Sequence, residues 1–247
     1  MTRLDAELDG ALRALAGRRP LLLASDYDGV LAPLVGDPAA AVPAPGVAEA
    51  LARLAAVDGV TVALVSGRGV DDLQRTSGLT GPYRWVGSHG AEFDGPLTGS
   101  LAQRRDDLAG LLRPLVEGTP GALLEVKPAS VAVHVRQVAD RPAAAELLAE
   151  AERRVDSSLT LKPGKEVLEI AVTDADKGSA LLRLRDELGA AGVLYLGDDL
   201  TDEDGFRALG PDDVTVKVGD GDTAARHRLG SPADALLLLE HLADLLS

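Results

Sequence analysis

Residues 21–34 read LLLASDYDGVLAPL. The run Leu21-Leu22-Leu23-Ala24 has the length and texture of a strand buried in a parallel sheet. It stops abruptly at Asp26, Tyr27, Asp28 and Gly29. In open α/β sheets, ligands bind beyond the carboxyl ends of the strands. Two carboxylates so close together repel each other there, and the apolar strand behind them supplies no partner. A divalent cation resolves the conflict, taking one carboxylate as ligand and leaving the other for proton transfer. Gly29 frees the chain to turn away. Taken alone, Asp-x-Asp-Gly serves equally as a plain turn after a strand, so the remaining sequence has to decide.

The chain has 247 residues, enough for one large domain or a core domain with a smaller insert. Apolar residues make up 46% and aromatics only 2%, so the core must be built from Leu, Val and Ala. A net charge of −14 excludes nucleic acid and anionic membrane as expected partners, because both demand a basic surface. A phosphate-bearing substrate would need local positive charge placed against that field. With no cysteine, disulfides, thiol catalysis and Cys-based zinc are excluded. No apolar run reaches the length of a membrane span, and the opening MTRLDAELDG is not expected to be a signal peptide. The expected setting is the cytoplasm, and the expected state a monomer.

Outward from the first stretch, Leu4–Ala16 shows Leu4, Leu8, Leu12 and Leu15 at helical spacing. Pro45 is placed to open a second helix, with Val47, Ala50, Leu51, Leu54 and Ala55 on one face. Val60–Val65 reads as another buried strand and ends in Ser66-Gly67-Arg68, ahead of a helix from about Val70. That arrangement offers a hydroxyl and free N–H groups to an anion, although the tripeptide alone also reads as a helix cap. Tyr83–Ser88 is a third strand, followed by a glycine-rich bend into a short hairpin. His89 on its own reads as a structural histidine. Farther on, Asp176-Lys177-Gly178 opens a helix to about Leu188, and Val193–Gly197 is a fourth buried strand. This strand ends in Asp198-Asp199-Leu200-Thr201-Asp202-Glu203-Asp204, a second acidic strand end and the missing half of an oxygen-ligand metal site. A short helix over Asp202–Leu209, a strand over Val214–Val218 and a helix over Pro232–Leu246 complete the pattern.

Between about Gly99 and Ala171 the texture changes. A helix over Leu101–Val116, strands over Ala122–Lys127 and Ser130–Arg136, a helix over Arg141–Val155 and strands over Leu159–Lys162 and Glu166–Ala171 give αββαββ. Glu125 and Lys127 share one strand face, as do His134 and Arg136, while Lys165 and Glu169 flank or line the last strand. Any one pair also reads as a plain solvated face; together they make a surface of acceptors and cationic donors suited to sugar hydroxyls and a phosphate. The expected organisation is a core from 1–98 and 173–247 with an inserted domain at 99–172.

A parallel sheet gathers its strand ends on one rim, so Asp26, Asp28, Ser66, Lys177, Asp198 and Asp199 can converge. The set meets the needs of phosphate-ester cleavage. A carboxylate attacks phosphorus, and a divalent cation screens the repulsion between the anions. Lysine and hydroxyl bind the equatorial oxygens, and a second carboxyl moves the protons.

In order and spacing these residues resemble the haloacid dehalogenase superfamily, across essentially the whole chain. The resemblance implies a Rossmann-like α/β core with a parallel sheet and an inserted α+β cap of the C2 type. It implies Asp26 as nucleophile, Asp28 as acid/base, and Ser66 and Lys177 on the phosphate. Mg²⁺ would be held by Asp26, the Asp28 backbone carbonyl and Asp198, with Asp199 and Asp202 beside them. Within the superfamily, the chain is similar to the trehalose-6-phosphate phosphatases. The matching stretches are Asp26–Pro33, Ser66–Arg68, Gly87–Gly90, Glu125 to Lys127 with His134 to Arg136, Gly164 to Glu169, and Gly197–Asp204. This likeness implies a hydrolase of trehalose biosynthesis acting on a small sugar phosphate. It would place Gly67, Arg68, His89, Glu125, Lys127, His134, Arg136, Lys165 and Glu169 at the substrate. Val30, Val135 and Ile170 depart from the family pattern. Another sugar phosphate such as that of sucrose or glucosylglycerate, a phosphomutase, and a non-catalytic sensor are the alternatives.

Overall fold

The computed structural model describes residues 4–247. The reading of MTRLDAELDG as no signal peptide falls partly on residues 1–3, outside the described residues. Helix α1 (Ala6–Ala16) starts where Asp5 accepts the Leu8 N–H at 2.8 Å, an N-cap that satisfies one of the helix's unpaired donors. Strand β1 (Leu21–Ser25) follows and is buried throughout. Helix α2 (Val47–Ala55) begins two residues later than Pro45 suggested, because Gly46 sits in the left-handed region (φ 94°) and cannot belong to the helix. Then come β2 (Val60–Val65), α3 (Val70–Ser77), β3 (Arg84–Gly87) and the two-residue β4 (Glu92–Phe93). Strand β3 stops short of Ser88 because Ser88 and His89 have φ of 50° and 57°, outside the strand region.

The inserted segment contributes α4 (Gly99–Glu117), β5 (Leu123–Val126), β6 (Ser130–His134), α5 (Arg141–Arg154), β7 (Thr160–Gly164) and β8 (Val167–Ala171). The chain then returns with α6 (Lys177–Leu188), β9 (Gly192–Gly197), α7 (Asp202–Ala208), β10 (Val214–Val218), β11 (His227–Leu229) and α8 (Pro232–Leu246). Strand β11 has no counterpart in the sequence reading, since three residues carry too little periodicity to register. Strand β6 ends at His134, so Arg136 lies beyond the strand rather than on it.

The first and last thirds of the chain build a sheet in the order β11-β10-β9-β1-β2-β3-β4, parallel throughout except for β4. Alternate residues of its strands serve two cores. Leu21, Leu23, Leu64, Leu194 and Val216 pack with α1, α2 and α8. Leu22, Ala24, Val65, Val193 and Tyr195 pack with α6 and α7. Covering both faces is what turns these strands into continuous apolar runs. Among the described residues, no helix is long and apolar enough to cross a membrane.

The chain divides into two compact units, one running to Gly95 and resuming at Ala175, the other Pro96–Asp174. The second holds an antiparallel sheet in the order β5-β6-β8-β7. Val131, Val133, Leu168 and Ile170 pack there against Leu108 and Leu112 of α4 and Leu147 of α5. Pro163 is tolerated in β7 because that strand is at the sheet edge.

Candidate active site

Strand β1 delivers Asp26 one residue past its end, where the Asp26 N–H still bonds Leu196 O at 2.9 Å and extends the ladder to β9. The side chain is 5% exposed by residue. One oxygen accepts the Tyr27 N–H at 2.7 Å and the other lies 2.8 Å from Lys177 Nζ. Burial pushes the Asp26 carboxyl above its ordinary range, with Lys177 opposing the rise and Asp202 adding to it.

Lys177 is the first residue of α6. The helix entry is fixed by reciprocal bonds between Asp176 and Ser179. At 1% exposure, its ammonium spans Asp26 and Asp202, at 2.8 and 2.7 Å. Burial works to lower its pKa, but the two carboxylates outweigh burial and raise it, so the group stays charged. Asp202, at 0% exposure, takes four donors. Lys177 Nζ and the Tyr195 hydroxyl reach one oxygen, and the N–H groups of Asp198 and Asp199 reach the other at 2.9 Å each. Burial and the adjoining Asp202 charge drive the Tyr195 hydroxyl well above its usual range, leaving it a donor.

Asp198 is half-buried, and its carboxyl is pushed up to about 6 by burial and by Asp202 and Asp199. Gly29, at φ 76°, lies so close to this carboxylate that any β-carbon there would overlap it. The turn after β1 and the loop after β9 therefore require a glycine between them. One carboxylate oxygen from each of Asp26, Asp198 and Asp202 lies within 4.8 Å of the others. Three hard oxygen donors at that spacing fit a small divalent cation. Asp28 and Asp199 do not bring their carboxylates into this cluster. Asp199 is exposed and accepts the Leu200 N–H at 2.6 Å.

Asp28 pairs instead with Arg68, through two bonds of 2.7 and 2.9 Å. Such a bidentate fork fixes the carboxyl's plane. Arg68 also reaches Asp72 at 3.0 Å and the Pro38 carbonyl at 2.7 Å. Bonding to Asp28 raises its pKa further, so it remains a cation. Ser66, buried beyond the end of β2, accepts the Arg68 N–H at 3.2 Å through its hydroxyl. A β-carbon on Gly67 would overlap the His89 imidazole, so this glycine lets His89 close onto the Ser66 turn. Val30 belongs to the apolar core.

In the inserted unit, residues of one sheet face fall into register. Leu123 and Glu125 alternate along one edge strand, with His134 opposite Leu123 and Ala132 opposite Glu125, while Lys127 lies just past the strand's end at Val126 rather than on it. Glu169 lies opposite Ala132, and Lys162 opposite Glu169. Lys127 Nζ meets Glu169 at 2.7 Å, Ser130 donates to the same carboxylate at 2.7 Å, and His134 Nε2 lies 2.8 Å from Glu125. Burial acts to raise the Glu169 carboxyl, but the Lys127 and Ser130 bonds outweigh it and hold it below its ordinary value. Arg136 is 3.7 Å from Glu166, and Lys165 is exposed in the turn between β7 and β8. The sequence reading passed over Ser130, Lys162, Tyr195 and Lys217. A lysine within the apolar strand VTVKV was the available signal for Lys217.

A doubly covered parallel sheet whose rim gathers paired carboxylates and a buried lysine, with an α+β unit inserted in the chain, defines the haloacid dehalogenase fold class. The chain belongs within it to the trehalose-phosphatase family, whose model matches residues 24–231. It is 40% identical over 96% of its length to a trehalose-phosphate phosphatase of Mycolicibacterium paratuberculosis, and 36% identical over 95% to one of Mycobacterium tuberculosis. The chain spans 65% and 64% of those curated relatives' own lengths. Among solved structures, the trehalose-6-phosphate phosphatase of Aspergillus fumigatus superposes with a TM-score of 0.77 at 28% identity, covering 99% of each chain.

Proposed function

We propose that the chain is a Mg²⁺-dependent phosphatase that hydrolyses trehalose 6-phosphate to trehalose and inorganic phosphate. The observation that carries this reading is the buried Asp26–Lys177–Asp202 array at the sheet rim with Asp198 beside it. Asp26, Asp198 and Asp202 would supply side-chain oxygens for the cation, joined on the family resemblance by the Asp28 backbone carbonyl, with Asp199 at the periphery. Bound there, the cation would offset the negative charge shared by phosphate and carboxylates.

Asp26 attacks phosphorus, forming an aspartyl phosphate as the bond from phosphorus to the sugar oxygen breaks. Asp28, once it has taken up a proton from solvent, gives that proton to the departing oxygen. It then takes a proton from the water that attacks phosphorus and releases phosphate. Arg68 must let go of at least one Asp28 oxygen for this exchange. Lys177 and Ser66 hold the phosphoryl oxygens, and Gly67, Arg68 and His89 shape the turn around them. Within this reading, residues 1–98 and 173–247 are the catalytic core and 99–172 the cap. Sugar recognition is assigned to Glu125, Lys127, His134, Arg136, Lys165 and Glu169. The acidic surface supports a small-molecule substrate rather than nucleic acid, and the protein is read as a cytoplasmic monomer.

Phosphate release from trehalose 6-phosphate, sucrose 6-phosphate, glucose 6-phosphate and p-nitrophenyl phosphate, with Mg²⁺ and then with EDTA, tests this. The expected result is Mg²⁺-dependent preference for trehalose 6-phosphate. Turnover of the aryl ester alone would remove the substrate assignment, and no turnover would remove the phosphatase.

A further inference from the structure

Strand β10 is buried along its length, and Val214, Val216 and Val218 belong to the core shared with α1, α2 and α8. Lys217 alternates with them and so lies on the opposite face. At 5% exposure it is a cation where an aliphatic residue would pack without penalty. No step of the proposed reaction uses it.

Its position accounts for it. Lys217 pairs in register with Gly197, the last residue of β9, and its ammonium donates to the backbone carbonyl of Asp198. Asp202 grips the N–H of the same residue, and the next N–H as well. Residue 198 is thus held at both its N–H and its C=O. With its backbone clamped, its carboxylate is set against Gly29 and within 4.8 Å of Asp26 and Asp202.

We propose that Lys217 is a positioning residue that fastens the loop after β9, so that the Asp198 carboxylate is preorganised for the divalent cation. The proposal rests on the reading of Asp26, Asp198 and Asp202 as a cation site. It makes a claim opposite in sign to simple electrostatics. A positive charge near a cation site opposes occupancy, so its removal should tighten binding if charge is all it contributes. If Lys217 fastens the loop, its removal weakens binding.

Lys217→Met keeps the chain length and removes both charge and donor, while Lys217→Arg keeps both. In cation-free protein, amide hydrogen exchange at Asp198 and Asp199 should quicken about tenfold in Lys217→Met through local opening, with β1 amides unchanged. Mn²⁺ binding, measured by calorimetry, should weaken about tenfold, the scale typical of groups that orient metal ligands. Lys217→Arg should restore both. Unchanged exchange at Asp198 and Asp199 overturns the fastening role. Faster exchange with unchanged or tighter Mn²⁺ binding overturns the preorganising role. Wild-type protein that binds no Mn²⁺ refutes the cation site itself, and the positioning role with it. If Lys217→Met does not fold, Lys217→Gln, too short to reach the carbonyl, is read by the same outcomes.

Discussion

Removing the ammonium of Lys177 leaves Asp26 and Asp202 as two buried carboxylates that have lost their shared partner. Breaking a buried ion pair from one side commonly costs about 3–5 kcal/mol. Lys177→Met should lose stability on that scale in urea titrations run in EDTA, and a loss under about 1 kcal/mol would mean the array tolerates unbalanced charge. Asp26→Asn is milder, because Lys177 keeps Asp202. It should hold its melting temperature within a few degrees yet lose at least about a thousandfold in phosphate release, as expected for removal of the proposed nucleophile. Retained turnover would take the nucleophile's role from Asp26. Several of these positions were legible because each is an abrupt polar interruption of an apolar run: Asp26 after Leu21–Ala24, and Asp198 after Val193–Gly197. The pairing was not legible. Nothing in the spacing says that Asp202, four residues into an acidic loop, faces inward to four donors while Asp199 faces water, since loop geometry rather than periodicity decides it. Arg68 turning to Asp28 was hidden for the same reason: the partners lie forty positions apart.

The elements themselves were easier to read. Both faces of the large sheet are covered, so its long strands appear as unbroken apolar runs, and its helices carry apolar stripes at a spacing strands cannot imitate. What escaped were short or locally determined features: β11, the start of α2 at a left-handed glycine, and the end of β6 before Arg136. The sheet of the inserted unit showed its alternation, and the polar face that results has a pH signature. The Glu169 carboxyl is held below its ordinary 4.5 in the folded protein. Its contribution to stability is therefore complete above that value and lost as the pH falls through the lower folded value. Glu169→Gln should melt lower than wild type at neutral pH, and the gap should close on acidification below about 4.5. A gap that stays constant from neutral pH to pH 3 would mean that the Lys127–Glu169 pair contributes nothing to the fold.

At the scale of the whole molecule, the net charge of −14 confronts a proposed substrate, a sugar phosphate, that carries negative charge itself. The long-range field should slow encounter, and screening should relieve it. Raising monovalent salt from about 0.01 to about 0.15 M shortens the Debye length from about 30 to about 8 Å, and kcat/KM for the sugar phosphate should rise about twofold at saturating Mg²⁺. A fall would show that local positive charge at the site governs approach.

The order of strands also bears on how the chain comes to be assembled. Strand β1 lies between β2, its near neighbour in sequence, and β9, where Leu21 meets Gly192. The inserted Pro96–Asp174 closes its own sheet from contiguous chain. During synthesis, that unit has all its strands while the middle of the large sheet still lacks half its partners. Local contacts form ahead of distant ones. Pulse-labelled exchange during refolding should therefore find β5–β8 protected before β1. A chain cut just past Asp174 would hold a finished small sheet and a half-built large one, whose bare strand edge is the point most exposed to mispairing with another chain.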